Sequence, residues 1–427
     1  MADAKARRAE TSLKFNGKSV NTSLKDYLES VEYTDVASGS SDSISITLHN
    51  IDMRWLSGWY PKKGDKMSGT IFFRDWNKDG KDLKIECGSF VLDSIKYSGG
   101  PLQAIFEGLA IPASESFKTR ERTKTWKKVT IKQIGREIAK RYKLKFKYDA
   151  GNIKINAIEQ SQKADSAFLY DLCQKYGLAM KAFRGQIIIF DKGKYEKKNP
   201  VTTIARADFV DDAWDFIDTL EGTYTGARIS YKSGKNSKEI NTYVGLVKEN
   251  SKKARTLKVS EQADDLNDAK HIAAAKVNEA NEQATTISGT IWANPKVVAG
   301  ATVNVVGLGK GNGKYYVDQV KTSVSDGTTM DVELHKCQKR LSFAKKAKSS
   351  KSAGAKKKTY KVGDIVNFHG GKHYVSSYPG ATGYSVKAGK AKITIANGSG
   401  KAHPWHLVTQ NWSQTSVYGW VDSGTFD

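Results

Sequence analysis

Apolar and polar residues alternate with a period of two over much of the first hundred residues, the mark of strands with one buried face. Ser43-Ile-Ser-Ile-Thr-Leu-His49 is the clearest run, followed by Ile71-Phe-Phe73, Leu83-Lys-Ile-Glu-Cys87 and Phe90-Val-Leu-Asp-Ser-Ile-Lys-Tyr97. Lys63-Gly64-Asp65, Asp79-Gly80 and Gly99-Gly100-Pro101 punctuate these runs as turns. Short strands at this spacing predict an antiparallel barrel or sandwich over residues 1–115, with a small helix near Leu24–Ser30.

The period then changes. Thr130 is placed to cap a helix running through Tyr142, with Ile131, Ile134 and Ile138 on one face. Leu144-Lys-Phe-Lys-Tyr148 alternates as a strand. Asp165 is placed to cap a second helix with Phe168, Leu169, Leu172, Cys173 and Tyr176 apolar and Gly177 at its C-terminal cap. Ile187-Ile-Ile-Phe190 reads as a buried strand and closes a small α+β insert over 116–199.

Strand patterns return over 200–338. Ala207–Tyr224 leads in, then Gly226–Tyr231, Glu239–Val247, Thr285–Ile291, Thr302–Val306 and Lys314–Val324. One alanine-rich helix interrupts them from about Asp264 to Glu282, with Leu266, Ala269, Ile272, Ala273, Val277 and Ala280 as its core stripe. A second barrel carrying one helix is expected. Residues 339–358 turn to Lys, Ser, Ala and Gly, with no acid and little to bury, which predicts a self-repelling linker. Residues 359–427 read as a compact aromatic unit of short strands, the size of an SH3-like barrel. The fold class is therefore mainly β with an α+β insert.

Composition narrows the function. The 427 residues hold 69 Lys and Arg against 45 Asp and Glu, a net charge of +24. The lysines are spread over strand and helix surfaces except in the linker, and no recognition helix, RNP-type strand or zinc finger accompanies them. An acidic protein or wall polymer is the expected counter-charge rather than a specific nucleic acid. No stretch approaches about 18 consecutive apolar residues, so no membrane span is expected. Met1–Phe15 lacks the apolar stretch of a secretory signal. Cys87, Cys173 and Cys337 form no CxxC pair, which points to synthesis in a reducing cytoplasm.

Chemical motifs are weak when read against their surroundings. Asp75-Trp-Asn77-Lys-Asp79-Gly80, with Glu86 beyond, satisfies the spacing of a calcium loop. Strands flank it where that loop needs helices, and Asp79-Gly80 is a hairpin signal, so a turn is the better reading. His369, His373, His403 and His406 have zinc-like spacings, but on a small β unit histidines beside Tyr and Trp usually line a surface or pocket. Gly307-Leu-Gly-Lys-Gly-Asn-Gly-Lys314 fails the phosphate-loop pattern, since Leu308 and Tyr315 stand at required positions, and reads as a hairpin turn. No nucleophile elbow or catalytic cysteine context is present, and no metal or cofactor is called for.

Gln160-Ser-Gln-Lys-Ala-Asp165-Ser-Ala-Phe168-Leu169-Tyr-Asp-Leu172-Cys-Gln-Lys-Tyr176-Gly177-Leu178, ending in Ile187–Phe190, resembles a segment of the late control D family. Those proteins are baseplate hubs of contractile phage tails, similar to the N-terminal half of type VI secretion spike proteins. Together with the flanking strand regions the resemblance covers about residues 10–338; Ala164 stands where serine is commoner. It implies a homotrimer in which two similar barrels per subunit make a pseudo-sixfold ring. Such a ring joins a hexameric tail tube to a trimeric spike and meets other baseplate proteins. The final unit resembles SH3-like modules of phage tail proteins and lysins, through Tyr360-Lys-Val-Gly-Asp-Ile-Val366, Lys372–Ser377, Ala388–Lys392 and Tyr418–Asp422. A tail-associated peptidoglycan hydrolase targeted by this module is the alternative.

The rings of the final unit exceed what so small a core needs. Tyr374, Tyr378, Trp405, Trp412, Tyr418 and Trp420 are expected to offer stacking faces to a Gram-positive wall polymer or a peptide, with His373 and Lys372 as polar partners. Docking on another baseplate protein is the plainer use of the same rings.

Overall fold

The computed structural model describes residues 7–76, 82–110, 116–231, 239–325, 327–341, 360–396 and 401–427. The chain divides into two units, 1–344 and 345–427. The linker expected over 339–358 therefore falls almost wholly outside the described residues, as does the tip of the Asp75–Glu86 turn.

The mainly β class holds. Most strands of the two expected barrels, however, hydrogen-bond into one 13-stranded sheet, while Gly226–Tyr231 and Ile240–Gly245 join Thr256–Val259 in a separate three-stranded sheet, and no closed barrel forms among the described residues. The seam is the antiparallel pair between Leu28–Val36 and Gly313–Val324, with Gln319 opposite Val36 and Val324 opposite Val31. The N-terminal half runs outwards from the seam through Ser43–His49, Leu102–Leu109, Leu83–Gly99, Lys66–Arg74 and Arg8–Phe15. Thr328–Lys336, Thr285–Trp292 and Phe209–Asp218 run out on the other side. Alternation does what period two requires: Ile44, Ile46 and Leu48 are buried while Ser43, Ser45 and Thr47 are less so. Gly108 lets the sheet close tightly there, because a Cβ would lie 2.9 Å from Phe90 and 3.2 Å from Ile44. One core joins both halves, with Phe73, Phe90 and Phe106 from the first and Ile287, Tyr315 and Leu334 from the second.

The Gly307–Lys314 segment is a hairpin connection, as its failed phosphate-loop pattern suggests. It carries a short 3-10 turn over Gly309–Gly311 and joins Thr302–Val306 to its antiparallel partner Gly313–Val324. Near the start of the chain the small helix comes earlier than expected, as one turn over Asn21–Leu24, and Leu28–Ser30 already belongs to a strand.

The α+β region is assembled from distant stretches. Its helix Ile131–Arg141 starts at Thr130, whose hydroxyl accepts from the Gln133 amide while the Gln133 side chain accepts from the Thr130 amide. Replacing Thr130 by alanine is expected to cost about 1 kcal/mol, read as a lower midpoint in chemical denaturation with unchanged slope. Gly135 sits inside this helix because a Cβ would stand 2.7 Å from the Phe146 ring. The helix Leu266–Glu282 was expected to ride on the second barrel. It packs on the separate sheet of Gly226–Tyr231, Ile240–Gly245 and Thr256–Val259 from that same region, and its Ala269, Ile272, Ala273 and Val277 share a core with Ala227, Ile229 and Val244 as well as with Ile134, Ile138, Phe168, Leu169 and Leu172. Small alanine side chains allow that close approach; Leu266 of the expected stripe is exposed.

Asp165 also differs from expectation. The helix Asp165–Lys175 is capped at Ala164 without a side-chain bond, and Asp165 is its fully buried first residue. Its carboxylate accepts from Tyr142 Oη at 2.6 Å, Gln160 Nε2 at 2.8 Å and Arg141 Nη1 at 2.5 Å. Burial alone would raise its pKa, but those three donors hold it below the usual carboxylate range. The C-terminal end follows the sequence, with Gly177 at φ +67°.

The second unit is a six-stranded antiparallel sheet in the order Ile365–Phe368, Gly389–Ala396, Trp405–Thr409, Tyr418–Val421, Gly371–Tyr374, Gly383–Val386. Val366, Phe368, Ala391, Ile393, Leu407, Val417, Val421 and Phe426 form its core.

Candidate functional site

In the second unit, alternation along Trp405–Thr409 and Tyr418–Val421 sends Leu407, Thr409, Gly419 and Val421 inwards. His406, Val408, Tyr418 and Trp420 take the opposite face, where His406 pairs with Trp420 and Val408 with Tyr418. The rings meet there. His406 stands edge-on to Tyr418 at 5.7 Å and to Trp420 at 5.2 Å, and Trp412 stacks on Tyr418 at 6.5 Å. Trp412 and Tyr418 are 66% and 59% exposed, too open for core residues. His373 joins through its Nδ1, which accepts the Tyr418 amide at 3.0 Å. Burial lowers the pKa of His373, and burial followed by the His373 charge lowers that of His406. The result is an aromatic face of edge-on and stacked rings with hydrogen-bonding groups among them.

Of the other expected residues, Tyr374 is in register with Trp420 on the adjoining strand, and the rest lie elsewhere. Trp405 turns inwards against Tyr360 and Phe426, with its indole N–H donating to Ser423 Oγ at 3.2 Å. Tyr374 stacks on His403 at 3.5 Å, and that histidine pairs with Asp422. Tyr378 is exposed beneath the Lys401 ammonium, 3.8 Å from the ring centroid. Lys372 is exposed, opposite Ser385. The four histidines considered for zinc have separate partners: His369 pairs with Asp427, His373 accepts the Tyr418 amide, His403 pairs with Asp422 and His406 bonds Thr394 Oγ1. His406 belongs to the aromatic face although it was not among the expected ligand residues; its place opposite Leu407 in an alternating strand was the available signal.

The first unit holds a buried ionic cluster that no local pattern announces. His335 Nδ1 donates to Asp318 Oδ2 at 2.6 Å and its Nε2 to Glu196 Oε1 at 3.0 Å. Arg340 Nε donates to Glu196 Oε2 at 2.8 Å, while its Nη2 bridges Glu196 and Glu282, the latter at 2.6 Å. Lys192 Nζ completes Glu282 at 2.5 Å. Burial disfavours the charged His335, yet Asp318 and Glu196 outweigh it and raise its pKa to about 9. Burial likewise opposes the Glu196 charge, and Arg340 and His335 overcome it, bringing its pKa to about 2. Three cations then face three carboxylates. The ligand atoms of Glu196, Glu282 and His335 lie within 4.8 Å of one another, close enough to share an ion, but the Arg340 guanidinium already bridges both glutamates. The cluster is a neutral fastening between the sheet strand Thr328–Lys336, the helix Leu266–Glu282 and the turn Lys192–Glu196.

Of the acids in the calcium-like turn, Asp82 is held by Arg74, and Glu86 by Lys84 and Arg184. Cys87, Cys173 and Cys337 are free thiols.

The fold of the first unit has counterparts among solved structures. Over 77% of this chain and 98% of its own, the 43 kDa tail protein of prophage MuSo2 from Shewanella oneidensis is similar, with a TM-score of 0.58 at 12% identity. A tail protein from Neisseria meningitidis MC58 is similar over 77% of this chain and 97% of its own, with a TM-score of 0.57 at 14% identity. The fold is thus shared with these two tail proteins. In sequence the chain is similar to the probable baseplate hub protein of Escherichia phage P2, 25% identical over 233 residues. That match spans 53% of this chain and 57% of the relative. No family model matches.

Proposed function

We propose that this chain is the structural baseplate hub of a contractile phage tail or a phage-tail-like bacteriocin, without a catalytic step of its own. Three copies make the symmetry adaptor between hexameric tail tube and spike. Each copy supplies two antiparallel β halves, and three such pairs present six similar edges to the tube. The observation that supports this reading most is the continuous sheet, two β halves fastened edge to edge at Leu28–Val36 and Gly313–Val324, in a fold similar to tail proteins. The second unit is a tether for the particle: its Trp412, Tyr418, His406 and Trp420 face takes a wall polymer of a Gram-positive host, sugars stacking on the rings.

Purified full-length chain mixed with its tail tube protein should give a complex containing three copies, measured by light scattering and seen as a ring by electron microscopy. A chain that stays monomeric at micromolar concentration in the presence of tube and spike proteins refutes the adaptor. Clearing of a peptidoglycan gel by the same preparation would favour the hydrolase instead.

A further inference from the structure

The first unit carries an apolar cleft of about 270 Å³ on its N-terminal half, lined by Phe15, Leu24, Trp55, Trp59, Pro61 and Phe106 among others. We propose that this cleft is the docking site of an acidic protein segment that seats one large apolar or aromatic side chain against Trp55 and Trp59. The inference stands apart from the hub reading, because it names a surface and the chemistry of its partner, whichever particle the chain serves.

The cleft is preformed. Trp55 is buried, its indole N–H donates to the His49 carbonyl at 3.1 Å, and its amide donates to Asn50 Oδ1 at 3.2 Å. Tyr27 meets Trp55 and Trp59 edge-on at 5.9 and 5.8 Å, and the Arg54 guanidinium lies 5.1 Å from the Trp59 ring centre. Phe106 closes the floor, 5.4 Å from Trp55. A rigid aromatic pocket loses little freedom when filled, which is what makes such pockets anchor points in interfaces.

Its surroundings are apolar where a surface is normally polar. Ile51, Met53, Leu56, Trp59 and Tyr60 are all exposed within one short stretch, Ile51 at 74%. Large apolar side chains gathered in this way on a soluble surface mark contact sites.

The charge at the rim selects the partner. Lys18 lies opposite Phe15, Lys25 follows Leu24, and Lys62 and Lys63 follow Pro61; all four are exposed and none has a carboxylate partner among the described residues. The neighbouring acids are mostly committed. Asp52 pairs with Arg54, Glu29 with His49, and Asp65 accepts from Asn16 Nδ2 and the Lys62 amide. Asp26, and Asp65 whose partners are neutral, are left against four lysines. A segment with carboxylates flanking one large apolar residue complements both the hollow and the rim. A concave hollow suits an inserted side chain better than a lipid surface, which a convex apolar tip would enter.

The test uses the full chain and a fluorescein-labelled hexapeptide, Glu-Asp-Phe-Leu-Asp-Glu, followed by anisotropy. Saturable binding is expected, weakened about tenfold by Trp59→Ala and by the pair Lys62→Glu, Lys63→Glu, and weakened by salt. Trp59 is 42% exposed, so its loss leaves the fold in place, and unchanged circular dichroism checks this. No saturation, or equal binding of a peptide with lysines in place of the acids, overturns the proposal. So does binding to vesicles of equal parts phosphatidylcholine and phosphatidylglycerol without binding the peptide, which would make the patch a membrane contact. A self-association lost in Trp59→Ala with no peptide binding would make it a contact between copies, and would equally overturn it.

Discussion

Replacing Arg340 by methionine should destabilise the first unit by about 3–5 kcal/mol, because it strips the shared cation from two buried carboxylates. Glu196 would keep only His335, and Glu282 only Lys192, in a site where neither carboxylate reaches water freely. For a unit of this size that cost corresponds to a melting temperature lower by roughly 4–7 °C, measured by calorimetry. Lysine at the same position should recover part of the loss, since it restores the charge but not the two-pronged contact. A methionine variant as stable as the parent would show that the fastening contributes nothing net. The same cluster sets a pH dependence. His335 titrates near 9 in the folded chain against about 6.5 when unfolded, so its contribution is complete below about 6.5 and is lost as pH rises through 9. Glu196 titrates near 2, so its contribution is complete above the ordinary carboxylate range and is lost as pH falls through 2. The melting temperature should therefore drop between pH 7 and about 9.5, and His335→Gln should flatten that drop.

The second large effect separates two tryptophans in the second unit. Trp405→Ala removes a ring wedged against Tyr360 and Phe426 and should cost about 2–4 kcal/mol, most of what so small a unit has. Limited proteolysis of the full-length chain should then degrade 360–427 while leaving the first unit intact. Trp412→Ala removes a ring that is 66% exposed and should leave the unit folded. Its loss should instead lower co-sedimentation of the full chain with Gram-positive cell walls by about tenfold, the share of roughly 1–1.5 kcal/mol that one stacking ring supplies. If Trp412→Ala sediments with walls as well as the parent does, the exposed aromatic face is not the wall site.

Much of the architecture could be read from residue order, and what could not has a common cause. Period-two alternation placed Ser43–His49, and the Thr130 cap with Ile131, Ile134 and Ile138 placed the first long helix nearly to the residue. Those signals are local. The seam between Val31 and Val324 is not, since no strand carries a mark of its distant neighbour. The helix Leu266–Glu282 was visible as a helix, but nothing in its alanine face says that it would join the strands around Ala227 and Val244 to the insert in one core. Glu196, Asp318, His335 and Arg340 each look like ordinary surface letters until the fold gathers them. In the second unit the strand register, not the identity of a ring, decides which way it faces. Trp405, Leu407 and Thr409 alternate with His406 and Val408, so the direction of Trp405 follows from its neighbours rather than from its being tryptophan.

The pairing of Val31 with Val324 also has a consequence in time. A ribosome delivers roughly 5–20 residues per second, so on the order of 15–60 s separate the emergence of these two partners. Throughout that interval Leu28–Val36 offers a row of unpaired amides and carbonyls beside a finished half-sheet, the kind of open template on which neighbouring nascent chains add strands. Closure is also slow by topology, since a contact between such remote positions must overcome the entropy of a very long loop. Production at lower temperature, or with a chaperone that shields sheet edges, therefore acts on the stage at which this chain is most easily lost.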